Sequence, residues 1–148
     1  MKTSKIIKPS EHQPLNVLGT QVSFLCKAEE TDKKWSLMEV SLPFNAGPPP
    51  HHHPWDEAYY VTEGKVKFII GKEEHYVEKG DFIYAPAGTV HGFFGAREET
   101  SKVLVFDAPS TAGGFFVDCD SKIKNLPQDL EKVPGIAAEY DMHFLKPE

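Results

Sequence analysis

Turn signals recur roughly every 8 to 12 residues through most of this chain, and the apolar stretches between them are too short for helices of ordinary length. Thr31-Asp32, Gly47-Pro48-Pro49-Pro50, Glu63-Gly64, Gly71-Lys72, Lys79-Gly80-Asp81, Pro86-Ala87-Gly88 and Gly95-Ala96 supply the punctuation. Twelve Pro and 11 Gly residues among 148 make this density possible. The stretches so bounded read as strands: Val22 to Lys27, Trp35 to Leu42, Glu57 to Thr62, Val66 to Ile70, His75 to Val77, Phe82 to Tyr84, Val90 to Phe94 and Lys102 to Phe106. Helical periodicity is nearly absent before residue 125, so the chain is expected to be all-β, a sandwich or a small barrel.

Val66, Phe68 and Ile70 alternate with Lys65 and Lys67, with Ile69 breaking the pattern, and three successive hairpins are expected here. The last strand runs out near Asp107-Ala108-Pro109, and Ser110 to Gly114 reads as a loop. Beyond it, Asn125 is a plausible N-cap, Pro127 falls in the first turn, and Leu130 and Val133 form an apolar stripe up to Pro134-Gly135. A further helical turn or two over Ile136 to Tyr140 would complete a C-terminal appendage. The organisation expected is one domain over 1–148, with a barrel core at about 20–108 and an extension over 109–148.

A chain of this size can bury a full core without disulfide or metal staples. Sixteen Lys and Arg against 22 Asp and Glu leave a formal charge of -6, the wrong sign for binding nucleic acid or an anionic membrane. The basic start, Met1 to Lys5, is followed by only Ile6-Ile7 before Lys8-Pro9, and no apolar run approaches the length of a membrane span. The expected location is the cytoplasm. Cys26 and Cys119 stand far apart in no disulfide-framework spacing and read as reduced, buried thiols.

His51, His53, Glu57 and His91 carry the chemistry. In a strand, His51 and His53 point the same way and His52 the other. The turn Pro54-Trp55-Asp56 lets Glu57 face the two imidazoles, and His91 arrives from a distant strand just after Pro86-Ala87-Gly88. Three imidazoles and one carboxylate converging in a barrel form a divalent metal site. Taken alone, the triplet His51-His52-His53 reads more readily as a solvated loop that collects metal adventitiously.

The wider spacing favours the site. His51-x-His53 is followed after three residues by Glu57 and after six more by Gly64; Gly80 is followed by Pro86, Ala87, Gly88 and His91. These two blocks resemble the paired signature of the cupin superfamily, matching at every metal-ligand position. The leading Gly of the first block stands two positions late, at Gly47, and Gly95 replaces the closing Asn of the second. The continuation Trp55 to Gly64 and the tail Gly135 to Met142 look most like small single-domain cupins of the quercetin dioxygenase-like kind.

The resemblance implies a double-stranded β-helix, or jelly-roll barrel, with a short C-terminal helical appendage. It implies one divalent transition metal per chain, Fe, Mn, Ni, Co, Cu or Zn, held by His51, His53, Glu57 and His91, with Glu57 also the base that deprotonates a flavonol-like or other enolisable aromatic substrate before it meets dioxygen. The apolar barrel is expected to raise the pKa of Glu57. By strand parity Tyr59, Val61 and Phe93 face inward, Val66, Phe68 and Ile70 line the opposite wall, and Phe106 or Val105 closes it. Trp55 is either a gate at the mouth or a simple apolar contact, while Tyr60 and Asp56 have the opposite parity and a structural role. His12, His75 and His143 lack partners and read as surface residues, and Glu29-Glu30, Glu73-Glu74 and Glu98-Glu99 as solvated turns. Ile6 to Leu18 has no obvious place in a closed barrel, and edge pairing between subunits points to a homodimer. Isomerase or decarboxylase chemistry on a small metabolite, and plain ligand binding, are the competing functions.

Overall fold

The computed structural model describes residues 2–145. Eleven strands form two antiparallel sheets. Six of them, β1 (Leu15–Val17), β2 (Thr20–Cys26), β3 (Ser36–Leu42), β5 (Asp56–Glu63), β8 (Phe82–Ala85) and β10 (Ser101–Ala108), lie in the order β1-β2-β3-β10-β5-β8. The other five, β4 (His51–His52), β6 (Lys65–Ile70), β7 (Glu73–Glu78), β9 (His91–Gly95) and β11 (His143–Phe144), lie in the order β11-β4-β9-β6-β7. Alternation directs Met38, Val40, Val61, Val103 and Val105 from one sheet and Val66, Phe68 and Phe93 from the other into a common core. This is the expected all-β barrel of two facing sheets. No described helix is long and apolar enough to cross a membrane.

Of the hairpins expected between Glu57 and Phe94, only β6–β7 forms; β5 pairs with β8 and β10 instead of β6. The two strands line opposite walls, so the chain changes sheets at Gly64, whose φ of 84° and contact with the Ser101 hydroxyl leave no place for a side chain. The end of the N-terminal stretch also finds a place, because β1 adds to the edge of β2, while Ile6 stays exposed. Cys119 is fully buried, but Cys26 is only half-buried, and both thiols are free.

The C-terminal region departs most from expectation. Helix α1 (Gly113–Lys122) begins inside the expected loop and ends before Asn125. It has no side-chain N-cap, and it is held from outside, by Phe115 and Cys119 in the core and by Phe116 packed edge-on against Phe24 with centroids 5.6 Å apart. Residues 128–132 form a 3-10 helix, followed by α2 (Val133–Ala138), which buries Val133, Ile136 and Ala137.

Segment 43–50 lies along β9 through backbone bonds from Asn45 N to Gly95 O (2.9 Å), Gly95 N to Ala46 O (3.1 Å) and Phe93 N to Pro48 O (3.1 Å). That contact delivers His51 to the barrel interior. It also explains glycine at position 95, where a Cβ would run into the carbonyl of Pro43. Gly95→Ala is therefore expected to destabilise the fold by about 2–3 kcal/mol, read as a lower denaturant midpoint; an unchanged midpoint would mean that the loop yields freely.

Candidate metal centre

The site spans both sheets. His51 and His91 are cross-strand partners on β4 and β9, and the amide of Gly88 donates to the carbonyl of His53 at 2.9 Å, tying the turn before His91 to the other ligand segment. Glu57 comes from the facing sheet, between Ala85 on β8 and Asp107 on β10. All four side chains are buried, and one ligand atom from each lies within 4.8 Å of the others.

Backbone carbonyls set the tautomers. His51 Nδ1 donates to Pro49 O at 2.8 Å, His53 Nδ1 to Trp55 O at 3.1 Å, and His91 Nδ1 to Thr89 O at 2.8 Å. A carbonyl can only accept, so each proton resides on Nδ1 and each Nε2 is turned toward the centre. His91 Nε2 stands 3.1 Å from Glu57 Oε1, and His53 Nε2 stands 3.5 Å from Glu57 Oε2. His53 Nε2 is buried without a hydrogen-bond partner. An orphaned polar atom in a set of three imidazole nitrogens and one carboxylate oxygen fits a divalent transition ion.

Electrostatics within the site run against one expectation. Burial acts to raise the pKa of Glu57, but the Asp107 carboxyl and the close imidazoles of His53 and His91 prevail and hold it well below the usual carboxylate range. Asp107 moves the opposite way: burial, and then the charge of Glu57, push it well above. The two shifts are opposed, so Glu57 gives up its proton before Asp107 does. The apolar wall was the visible part of the environment; of the groups around Glu57, His91 and Asp107 come from distant segments and only His53 is near in sequence. The hydroxyl of Tyr59 adds a further hydrogen bond to Glu57 Oε1.

Burial, reinforced by the charge of His91, lowers His51 to about 4, so it is neutral at physiological pH. Burial also opposes charging of His91, yet the hydrogen bond and charge of Glu57 outweigh it and raise that group above the ordinary imidazole value. A proton on His91 Nε2 competes with an ion for the same lone pair. Divalent-metal affinity should accordingly rise about tenfold per pH unit up to the raised pKa of His91 and level off above it, with proton release on binding. Calorimetric titration with Ni²⁺ or Co²⁺ at pH 6 and pH 7 checks this, and equal affinities would contradict it.

The expected pocket residues separate into three groups. Phe93 borders the cavity beside His51 and Glu57. Tyr59, Val61 and Phe68 face inward but are spent on the core, Tyr59 meeting Phe68 and Phe93 edge-on at 4.8 and 5.1 Å. Phe106 points outward: Val103, Val105 and Asp107 take the inward positions of β10, so Phe106 lies on the outer face and stacks on Trp35, while Val105 reaches the cavity. Trp55 is no gate. It is buried with its ring parallel to that of His53, 4.0 Å between centroids, and holds that ligand in place.

Asp107 is the residue that sequence reasoning missed, although its parity with Val103 and Val105 marks it as an inward carboxyl. The cavity itself is small, about 60 Å³. Its barrel walls include Met38, Val40 and Val105; Phe115 and Phe116 of α1, with Met142 and Phe144 near β11, cover it. Strand β11 pairs with β4, bringing Phe144 within 5.3 Å of the His51 ring and His143 within 5.3 Å of His52 on the outer side. His75 is exposed on β7, 3.3 Å from Glu73. Asp56 is exposed and accepts a bond from the amide of Ala87 at 2.9 Å.

Residues 38–107 match the family described as Cupin domain. An uncharacterized protein of Streptomyces coelicolor is 34% identical over 59 residues, which cover 40% of this chain and 56% of that protein, so the match spans little more than half of the relative's length. Among solved structures, the polyketide cyclase RemF from Streptomyces resistomycificus superposes with a TM-score of 0.65 at 23% identity, over 73% of this chain and 81% of that one. A predicted oxalate decarboxylase from Thermotoga maritima superposes with a TM-score of 0.65 at 19% identity, over 71% and 99% of the two chains. At these identities the shared property is the fold.

Proposed function

Since residues 38–107 are a cupin domain, with three histidines and a glutamate turned to one point inside it, we propose that the protein is a metal-dependent oxidoreductase, a dioxygenase acting on an apolar, enolisable aromatic molecule. The observation that carries this reading is the placement of Glu57 and His51 at the edge of a cavity that is otherwise almost wholly apolar and has no Lys or Arg in its lining. A divalent ion held by His51, His53, Glu57 and His91 would lower the pKa of a substrate hydroxyl and hold its anion.

The protein's own groups supply the rest. Glu57 accepts the substrate proton, and Tyr59 and Asp107 orient its carboxylate. Phe93, Met142 and Phe144 exclude water and give an aromatic ring an apolar surface. A cavity of about 60 Å³ holds only a few waters, so an aromatic substrate enters when the covering side chains of α1 and β11 shift.

The same proton transfer serves a second reading, an oxygen-independent cyclisation or isomerisation, and RemF, which shares the fold, is a polyketide cyclase. Carboxylate substrates, as in a decarboxylase, find no Lys or Arg in this lining beyond the ion itself. Elemental analysis of untagged protein, followed by oxygen consumption with a flavonol panel after reconstitution with each metal, tests the proposal. Metal-dependent uptake is expected. Turnover without uptake would move the reading to the second class, and no turnover under any gas would leave a binding protein.

A further inference from the structure

Strand β11 is the outermost strand of its sheet, two residues long, with β4 as its neighbour. Their register sets His143 directly opposite His52 and Phe144 opposite His51. Alternation then sorts the four rings by face: Phe144 and His51 turn to the cavity, while half-buried His52 and exposed His143 turn outward together. Directly opposed residues of an antiparallel pair hold their Cβ atoms about 4.5–5.5 Å apart on one face, within reach of a shared ligand. The two outward imidazoles have centroids 5.3 Å apart and ring planes inclined at 35°. The inner histidines, turned to one point, show centroid separations of 4.4, 5.0 and 5.5 Å. The outer pair falls within that range, and two zinc–nitrogen bonds of about 2.1 Å near the tetrahedral angle would put two ring centres about 5 Å apart. Bonding separates this pair from the other strand histidines. His51, His53 and His91 donate through Nδ1 to backbone carbonyls, and His75 stands beside Glu73. Among the described residues the rings of His52 and His143 make no hydrogen bond and no ion pair, so nothing there competes for their lone pairs.

We propose that His52 and His143 form a second metal site on the outer side of β4, for a divalent ion that favours imidazole, such as Zn²⁺, Ni²⁺ or Cu²⁺. Each ring supplies one nitrogen lone pair, and water completes the coordination. The backbone pairing already holds the two ligands together, so binding orders only two side chains. With two protein ligands and no carboxylate, this site binds an ion more weakly than the inner set of four. It shares no ligand with that set and does not depend on the inner centre being loaded. Its consequence follows from its position. The backbone bond from Leu145 N to Pro50 O, 3.0 Å long, fastens the end of β11 to the segment before His51. An ion across His52 and His143 adds a second fastening beside it. Phe144, which borders the cavity 5.3 Å from the His51 ring, is then held in place, so the outer ion acts as a clamp on the cover of the inner chamber.

Equilibrium dialysis of the untagged full chain against Zn²⁺, with metal counted by elemental analysis, decides the matter. Wild type should take up one tight and one weaker equivalent. His143→Ala should lose the weaker one, and His143→Cys, which offers a thiolate in place of the imidazole, should recover it. Hydrogen exchange reads the clamp: with Zn²⁺ at ten times the dissociation constant of the weaker step, the Leu145 amide should exchange roughly tenfold more slowly, and His143→Ala should abolish the slowing. Protection of Leu145 in zinc-free buffer shows whether β11 is still paired in the variant; where it is not, His52→Ala takes its place. A weaker equivalent that survives both alanine substitutions is an adventitious ion only and overturns the proposal, as does wild-type protein without that equivalent or equal slowing in wild type and variant. If the inner centre holds no ion, wild type keeps the weaker equivalent alone and His143→Ala still removes it, so the two readings fail separately.

Discussion

Glu57→Gln is expected to lower turnover by on the order of 10³-fold or more, in a protein that remains folded. The substitution keeps the shape of the side chain but removes the charge that would offset a divalent ion and the basic oxygen that, in the proposed reaction, takes the substrate proton. Removing a general base alone costs roughly 10²–10⁴-fold, and disturbing the coordination adds to it. The fold is spared because Glu57 is a buried charge held by Tyr59, His91, His53 and Asp107, and a neutral amide in the same place relieves desolvation while retaining polar contacts. Metal per chain by elemental analysis, product formation and the melting temperature report the three quantities independently. A variant with full metal content and full turnover would remove Glu57 from the centre.

Stripping the ion with a chelator should lower the melting temperature by roughly 10–15 °C. An ion present at about a thousand times its dissociation constant stabilises the folded state by about 4 kcal/mol, and a domain of this size shifts by roughly 2–4 °C per kcal/mol. Readdition of metal should restore the loss at pH 7, and less completely near pH 6, because His91 then holds a proton that the ion must displace. Calorimetric scans of chelated and reconstituted protein measure the difference. Identical melting temperatures with and without each candidate ion would mean that the four side chains do not act as a cage.

The ligand set was legible because its geometry follows from chain-local rules. Two histidines two apart share a strand face, and Glu57, Tyr59 and Val61 share another, whatever the rest of the fold does. The same rule, applied outward from Val103 and Val105, turns Phe106 to the exterior; its aromatic character argued for burial, but alternation prevailed. Asp107 was overlooked by the converse error, a charged residue in a position that parity directs inward. Helix α1 left almost no local trace, since it opens on Gly113-Gly114 and owes its stability to contacts of Phe115 and Cys119 with the core. Strands β4 and β11 are two residues each, below any periodicity that can be read. The depressed pKa of Glu57 was out of reach for a related reason: its hydrogen-bond donors are gathered from residues up to 50 positions away by the closure of the barrel.

The pairing of β11 with β4 ties His143 and Phe144 to the strand that carries His51. Peeling that stretch back would uncover the chamber and, in the same movement, loosen His51, one of the four side chains that could hold an ion. With an ion and a substrate held as proposed, admission of the one and retention of the other would share one latch, and variants selected for faster access through this side should lose metal more readily.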